Sequence, residues 1–180
     1  MSVQIPLERL KPTLLELIDE TFSQVHGMYL DKGTTLYETL DGVTAEEASR
    51  SASPQTATVA AQVEHVRFYL DILDEIVRTR NFEKKYNWRE IWETVREVTP
   101  DQWEDLKRRL HESHDRVMAT INSFENWDGP YDIGGAMSIV AHTAYHLGGI
   151  RQALGVIRSA PAEASSQTSA TAHSSQTQSR

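Results

Sequence analysis

Cysteine is absent from this chain of 180 residues, which excludes disulfides, thiolate metal ligands and a cysteine nucleophile. Any thiol chemistry must therefore receive its thiol from a bound molecule. Cations are also scarce: 18 Lys and Arg stand against 26 Asp and Glu, giving a formal net charge of −8. A phosphate backbone needs clustered cations, so no nucleic-acid partner is expected. The N-terminal MSVQIPLERLKPTLLELIDE has no basic stretch followed by an apolar one, and no run of about 18 apolar residues. No membrane partner and a cytoplasmic location are the expectation. The period-two alternation of half-buried strands is missing as well.

What is present is helical periodicity. Leu7, Leu10, Leu14, Leu17, Ile18, Thr21 and Val25 recur at three- and four-residue steps, predicting a helix over 6–28, with Pro12 inside its first turns. A long connection follows to Pro54. It carries the amphipathic pieces TTLYETL and TAEEAS, and Thr44 with Glu47 has the form of a capping box. This connection is expected to cover one end of the fold. A second long helix is predicted over 54–79, with Val59, Val63, Val66, Leu70, Leu73 and Val77 as its main stripe and His65 on a neighbouring one. Between 81 and 100, Trp88, Ile91, Trp92 and Val95 suggest a short helix. Thr99-Pro100-Asp101 then starts a third long helix with Trp103, Leu106, Leu110, His114, Val117, Ile121 and Phe124 facing inward.

The fourth helix is the most unusual. From Ile133 to Ile157 only Arg151 is charged, although charged residues make up 24% of the chain, so burial on nearly every side is expected. His142 and His146 lie in it at i and i+4, which stacks them on one face with roughly 5–6 Å between their Cβ atoms. Gly148 and Gly149 each cost about 1 kcal/mol of helix propensity, a cost that a close neighbour or a pocket explains. Beyond about Ser159 the chain is Ser, Ala, Thr and Gln without large apolar groups, predicting a disordered tail over 159–180 after one helical domain over 1–158. Together these segments predict an all-α, four-helix bundle with long crossover connections and short cover helices.

Of seven histidines, His173 falls in the tail and His111 on a polar face, where solvation is expected. His26 near a helix end complements the helix dipole. His65, His142 and His146 remain as the best triple, and three imidazoles around one ion leave a position for water or substrate. On the residues alone, a second reading stands beside it: core histidines satisfied by hydroxyls such as Ser138 or Tyr69. HTAYH lacks the glutamate of H-E-x-x-H, which argues against a zincin peptidase.

His65 with AHTAYHLGGIRQAL, VTPDQWEDLKRRL and LYETLDGVTAEEAS resembles the DinB-like metal-binding four-helix proteins from about Leu7 to Leu154. The resemblance implies metal ligation by His65, His142 and His146, frequent dimerisation, and in some members transfer or isomerisation chemistry with a low-molecular-weight thiol. Many members carry glutamine where this chain has Gly149. The expected function is a divalent-metal-dependent enzyme of thiol S-transferase type acting on a small molecule. Imidazoles suit zinc, nickel and iron alike. Tyr37, Tyr69, Ser138 and His114 are candidates for groups around the metal. The rival expectation is a non-catalytic helical binding or stress-related scaffold module, with Trp88 and Trp92 as anchors.

Overall fold

A computed structural model describes residues 6–160. It contains seven helices and, among the described residues, no strand. The chain is all-α. Four helices are long: α1 (Leu7–Phe22), α4 (Val59–Thr79), α6 (Pro100–Asn122) and α7 (Asp132–Ser159). Three short ones, α2 (Leu36–Leu40), α3 (Ala45–Ala48) and α5 (Glu90–Thr94), lie in the connections. None is long and apolar enough to cross a membrane.

Local chemistry sets most boundaries. Thr35, Thr44 and Thr99 each close a reciprocal capping box, with Glu38, Glu47 and Gln102 respectively, and Pro100 opens α6 as expected. α4 begins at Val59 rather than Pro54 because the Thr58 hydroxyl accepts from the Ala61 N–H and so caps the helix there.

α1 ends at Phe22, six residues short of the expected position, for a reason that periodicity does not carry. Glu20, fully buried, accepts the backbone N–H groups of His26 and Met28 on one oxygen and of Tyr29 and Leu30 on the other. The chain must leave the helix to present those four donors. Gly27 supplies the turn with a φ of +80°, the left-handed region that favours glycine. Burial alone raises the Glu20 pKa, but the four N–H donors outweigh it and hold the carboxyl at about 2.

α4 packs against both α6 and α7, and α1 packs against α7. One apolar core runs through all four, including Ile18 and Phe22 of α1, Val63 and Leu70 of α4, Trp103 and Leu110 of α6, and Leu147 and Ile150 of α7. Lys11 of α1 donates to the carbonyls of Asn122 and Phe124 and so caps the end of α6. Trp103 donates to the Val43 carbonyl at 2.7 Å, fixing the first connection onto α6. At the opposite junction Arg80, left-handed at φ 53°, pairs with buried Asp132 and joins the end of α4 to the start of α7.

The expected all-round burial of α7 is not what the structure shows. Met137 is 56% and Tyr145 77% exposed, and Ile133, Ala141 and Val156 are exposed too. With α4 and α1 as its main neighbours, the helix keeps a third sector outside. α7 also runs through Ser159, into the stretch expected as tail, while 161–180, with His173, lies outside the described residues.

Candidate metal centre

α4 contributes His65 and α7 contributes His142 and His146. The contact between these two helices brings the three rings together: centroids lie 5.0 Å apart for His65 and His142, 4.8 Å for His65 and His146, and 4.6 Å for His142 and His146. One ligand nitrogen from each lies within 4.8 Å of the others. Nitrogens sharing an ion at about 2.0–2.1 Å in tetrahedral geometry stand roughly 3.3 Å apart, so modest rotations about the side-chain bonds suffice to close the set.

The donor set suits an ion on a second ground. His65 Nδ1 and His142 Nε2 are buried and lack a hydrogen-bond partner, an arrangement that is costly for an ordinary core histidine. The expected hydroxyls of Ser138 and Tyr69 do not satisfy them, and these two pair with each other instead. Tyr69 stacks face to face on His142 with centroids 3.8 Å apart, and Thr143 Oγ1 is itself buried without a partner. Burial, followed by repulsion from the neighbouring imidazole of His142, lowers the His65 pKa to about 4. Burial and then His142 and His65 do the same for His146, and burial lowers His142. His65 and His146 are thus neutral at pH 7, with His142 shifted in the same direction, which favours metal binding over protonation.

Each imidazole is backed by an aromatic ring. Trp92 of α5 lies 4.4 Å from His65, Tyr69 stacks on His142, and Tyr145 meets His146 edge-on at 5.1 Å. Trp88 adds an edge contact to His65 at 6.1 Å. Trp88 and Trp92, expected as anchors for a partner, thus stand beside His65, with Trp88 still 39% exposed, and the second connection covers the His65 side of the trio. Their distance in sequence from every histidine in the set left only aromatic spacing as a signal, which does not distinguish wall from core.

His114 and Tyr37 form a separate pair. Their Nδ1 and hydroxyl are 3.0 Å apart, and Phe22 stacks on the His114 ring at 4.3 Å. Burial lowers the His114 pKa to about 4 and raises that of Tyr37. His111 is exposed, as expected, and stacks on Tyr37. His26 Nε2 pairs with Asp19 at 2.6 Å. Glu64, beside His65 in sequence, points elsewhere and pairs with Arg67 and Arg109.

Three hollows of similar size lie on the surface, and two of them bear on the histidines and Tyr37. One, of about 530 Å³, lies over Tyr37 and His111 and has no wall in common with the trio. The other, of about 600 Å³, has His146 in its wall together with Trp92, Tyr145 and Gly149. Gly149 matters here because a Cβ at that position would stand 2.9 Å from Gln62 Oε1. The histidine set therefore has both the neutral donors a divalent ion requires and an adjoining cleft for a reactant. Neither the protein families, the curated proteins nor the solved structures compared with this chain give a match.

Proposed function

We propose that this chain is a DinB-like four-helix bundle in which His65, His142 and His146 hold a divalent ion, zinc, nickel or iron, and that it acts in the cytoplasm as a thiol-dependent transferase on a small molecule. The observation that carries this reading is the approach of three imidazoles, His65 and His146 buried and His142 half-buried, two of them with orphaned buried nitrogens and His146 in the wall of a cleft. An ion bound there supplies Lewis acidity, which lowers the pKa of a thiol or water that shares it. The chain's own groups do the rest. Tyr69, Trp92 and Tyr145 fix the ring planes, α5 limits access of water from the His65 side, and the absence of cysteine removes a competing internal thiol.

Metal analysis of tag-free protein tests the assignment. A stoichiometric divalent ion is expected in the wild type and its loss in His65→Ala, with helicity retained by circular dichroism. A screen of low-molecular-weight thiols with electrophilic acceptors then reads turnover. The exposed stripe Ile133, Met137, Ala141 and Tyr145 on α7 favours a second component of the proposal, a homodimer through that face. It equally fits a binding module without catalysis, and a metal-loaded chain inert toward every thiol tested supports that alternative.

A further inference from the structure

The cleft beside His146 is notable for the chemistry it lacks. Its walls contain no charged side chain. Trp92, Tyr145, Ala153 and Val156 give it a largely apolar lining, and its polar side chains besides His146 are the hydroxyls of Thr56 and Tyr145, the indole N–H of Trp92 and the amides of Gln62 and Gln152. At about 600 Å³ it falls within the range of cavities that hold small organic molecules, roughly 300–1,000 Å³.

Gln62 is placed for a role. It sits three residues before His65 and so lies on the same side of α4. Its amide extends over Gly149, and only the missing side chain of that glycine leaves it room. No protein group hydrogen-bonds the Gln62 side chain among the described residues, although the residue is half-buried. An amide that is partly shielded, unpartnered and turned into a cleft is available to a ligand.

We propose that this cleft binds an uncharged organic substrate with an arene-sized apolar body and one polar end directed at the histidine trio, and that Gln62 selects it by hydrogen bonding. The proposal rests on the metal-centre reading only for the direction of the polar end. Away from the histidine end, a ligand carrying carboxylates would set them against side chains that offer no cation, which is costly. The adjoining hollow, which shares Thr56, Ala57 and Trp92, brings Arg96 and Glu97 together, so its formal charges cancel.

A matched pair of thiols tests the preference. Benzyl mercaptan and mercaptosuccinate carry the same sulfur on an apolar and on an anionic body. Titrated calorimetrically into zinc-loaded protein, benzyl mercaptan is expected to bind about tenfold more tightly or better, a difference of about 1.4 kcal/mol. Val156→Lys, a change at an exposed wall position, is expected to reduce or invert that ratio. Metal-free protein is tested with benzamide by saturation-transfer NMR, where Gln62→Leu and Gly149→Ala should each weaken binding several-fold while leaving zinc stoichiometry unchanged. Equal or tighter binding of mercaptosuccinate, sensitive to Arg96→Ala, overturns the proposal, as does benzamide binding indifferent to Gln62. Failure to bind zinc, with Gln62-dependent benzamide binding intact, removes the metal-centre reading and leaves the cleft assignment standing.

Discussion

Two buried groups show how single residues set the acid response of the fold. Glu20 has a folded pKa of about 2 against an ordinary 4.5, so the unfolded chain binds the extra proton as pH falls through that interval. Its contribution is complete above the ordinary value and is lost toward pH 2. His114 acts in a higher window. Buried and neutral with a pKa of about 4, it is protonated in the unfolded chain below 6.5 before it is protonated in the fold, so stability declines as pH falls from 6.5 toward 4. Asp115 and Asp19 oppose that depression and His111 reinforces it, but burial dominates. Urea denaturation at stepped pH is expected to show a flatter decline between 6.5 and 4 in His114→Gln. Glu20→Gln, which keeps one acceptor and loses the charge, is expected to cost about 1–3 kcal/mol at pH 7. It should also remove the further loss between 4.5 and 2.

Among the elements, α5 carries a function out of proportion to its five residues. Ile91 anchors it in the core and Trp92 lies over His65. It holds no ligand of its own. If the trio binds zinc, Trp92→Ala should leave stoichiometry unchanged yet speed zinc loss to EDTA about tenfold, because the apolar shell governs access of water and chelator. Phe82→Ala, in the same connection but exposed and paired with Tyr131, serves as the control and should change nothing. The long helices follow simpler rules. Thr99 satisfies a first-turn donor of α6, and Thr99→Ala is expected to lower stability by about 1 kcal/mol in thermal or chemical unfolding.

At the scale of the molecule, the outward face of α7 is the feature that a single copy leaves unexplained. Met137 and Tyr145 are apolar or aromatic, more than half exposed, and set along one side of the helix with Ile133 and Ala141. If that stripe joins two copies, Met137→Glu should shift the sedimenting species from dimer to monomer at micromolar concentration with little change in helicity. A monomeric wild type excludes the dimer.

The residues alone determined the helical class, because apolar positions recur at three- and four-residue steps, and the caps at Thr44 and Thr99 marked two of the helix starts, whereas those at Thr35 and Thr58 went unread. They also marked His65, His142 and His146 as the best triple, while leaving open core histidines satisfied by hydroxyls. Periodicity could not report what depends on contacts outside the helix repeat: the early end of α1, imposed by four backbone donors converging on Glu20; the tryptophan wall, delivered by α5 and the Trp88 that precedes it; and the Gln62 amide lodged over Gly149. Nor could an all-apolar α7 reveal its exposed sector. Hydrophobicity states that a surface gains by being covered, and only the packing of the other helices decides which part of it they cover.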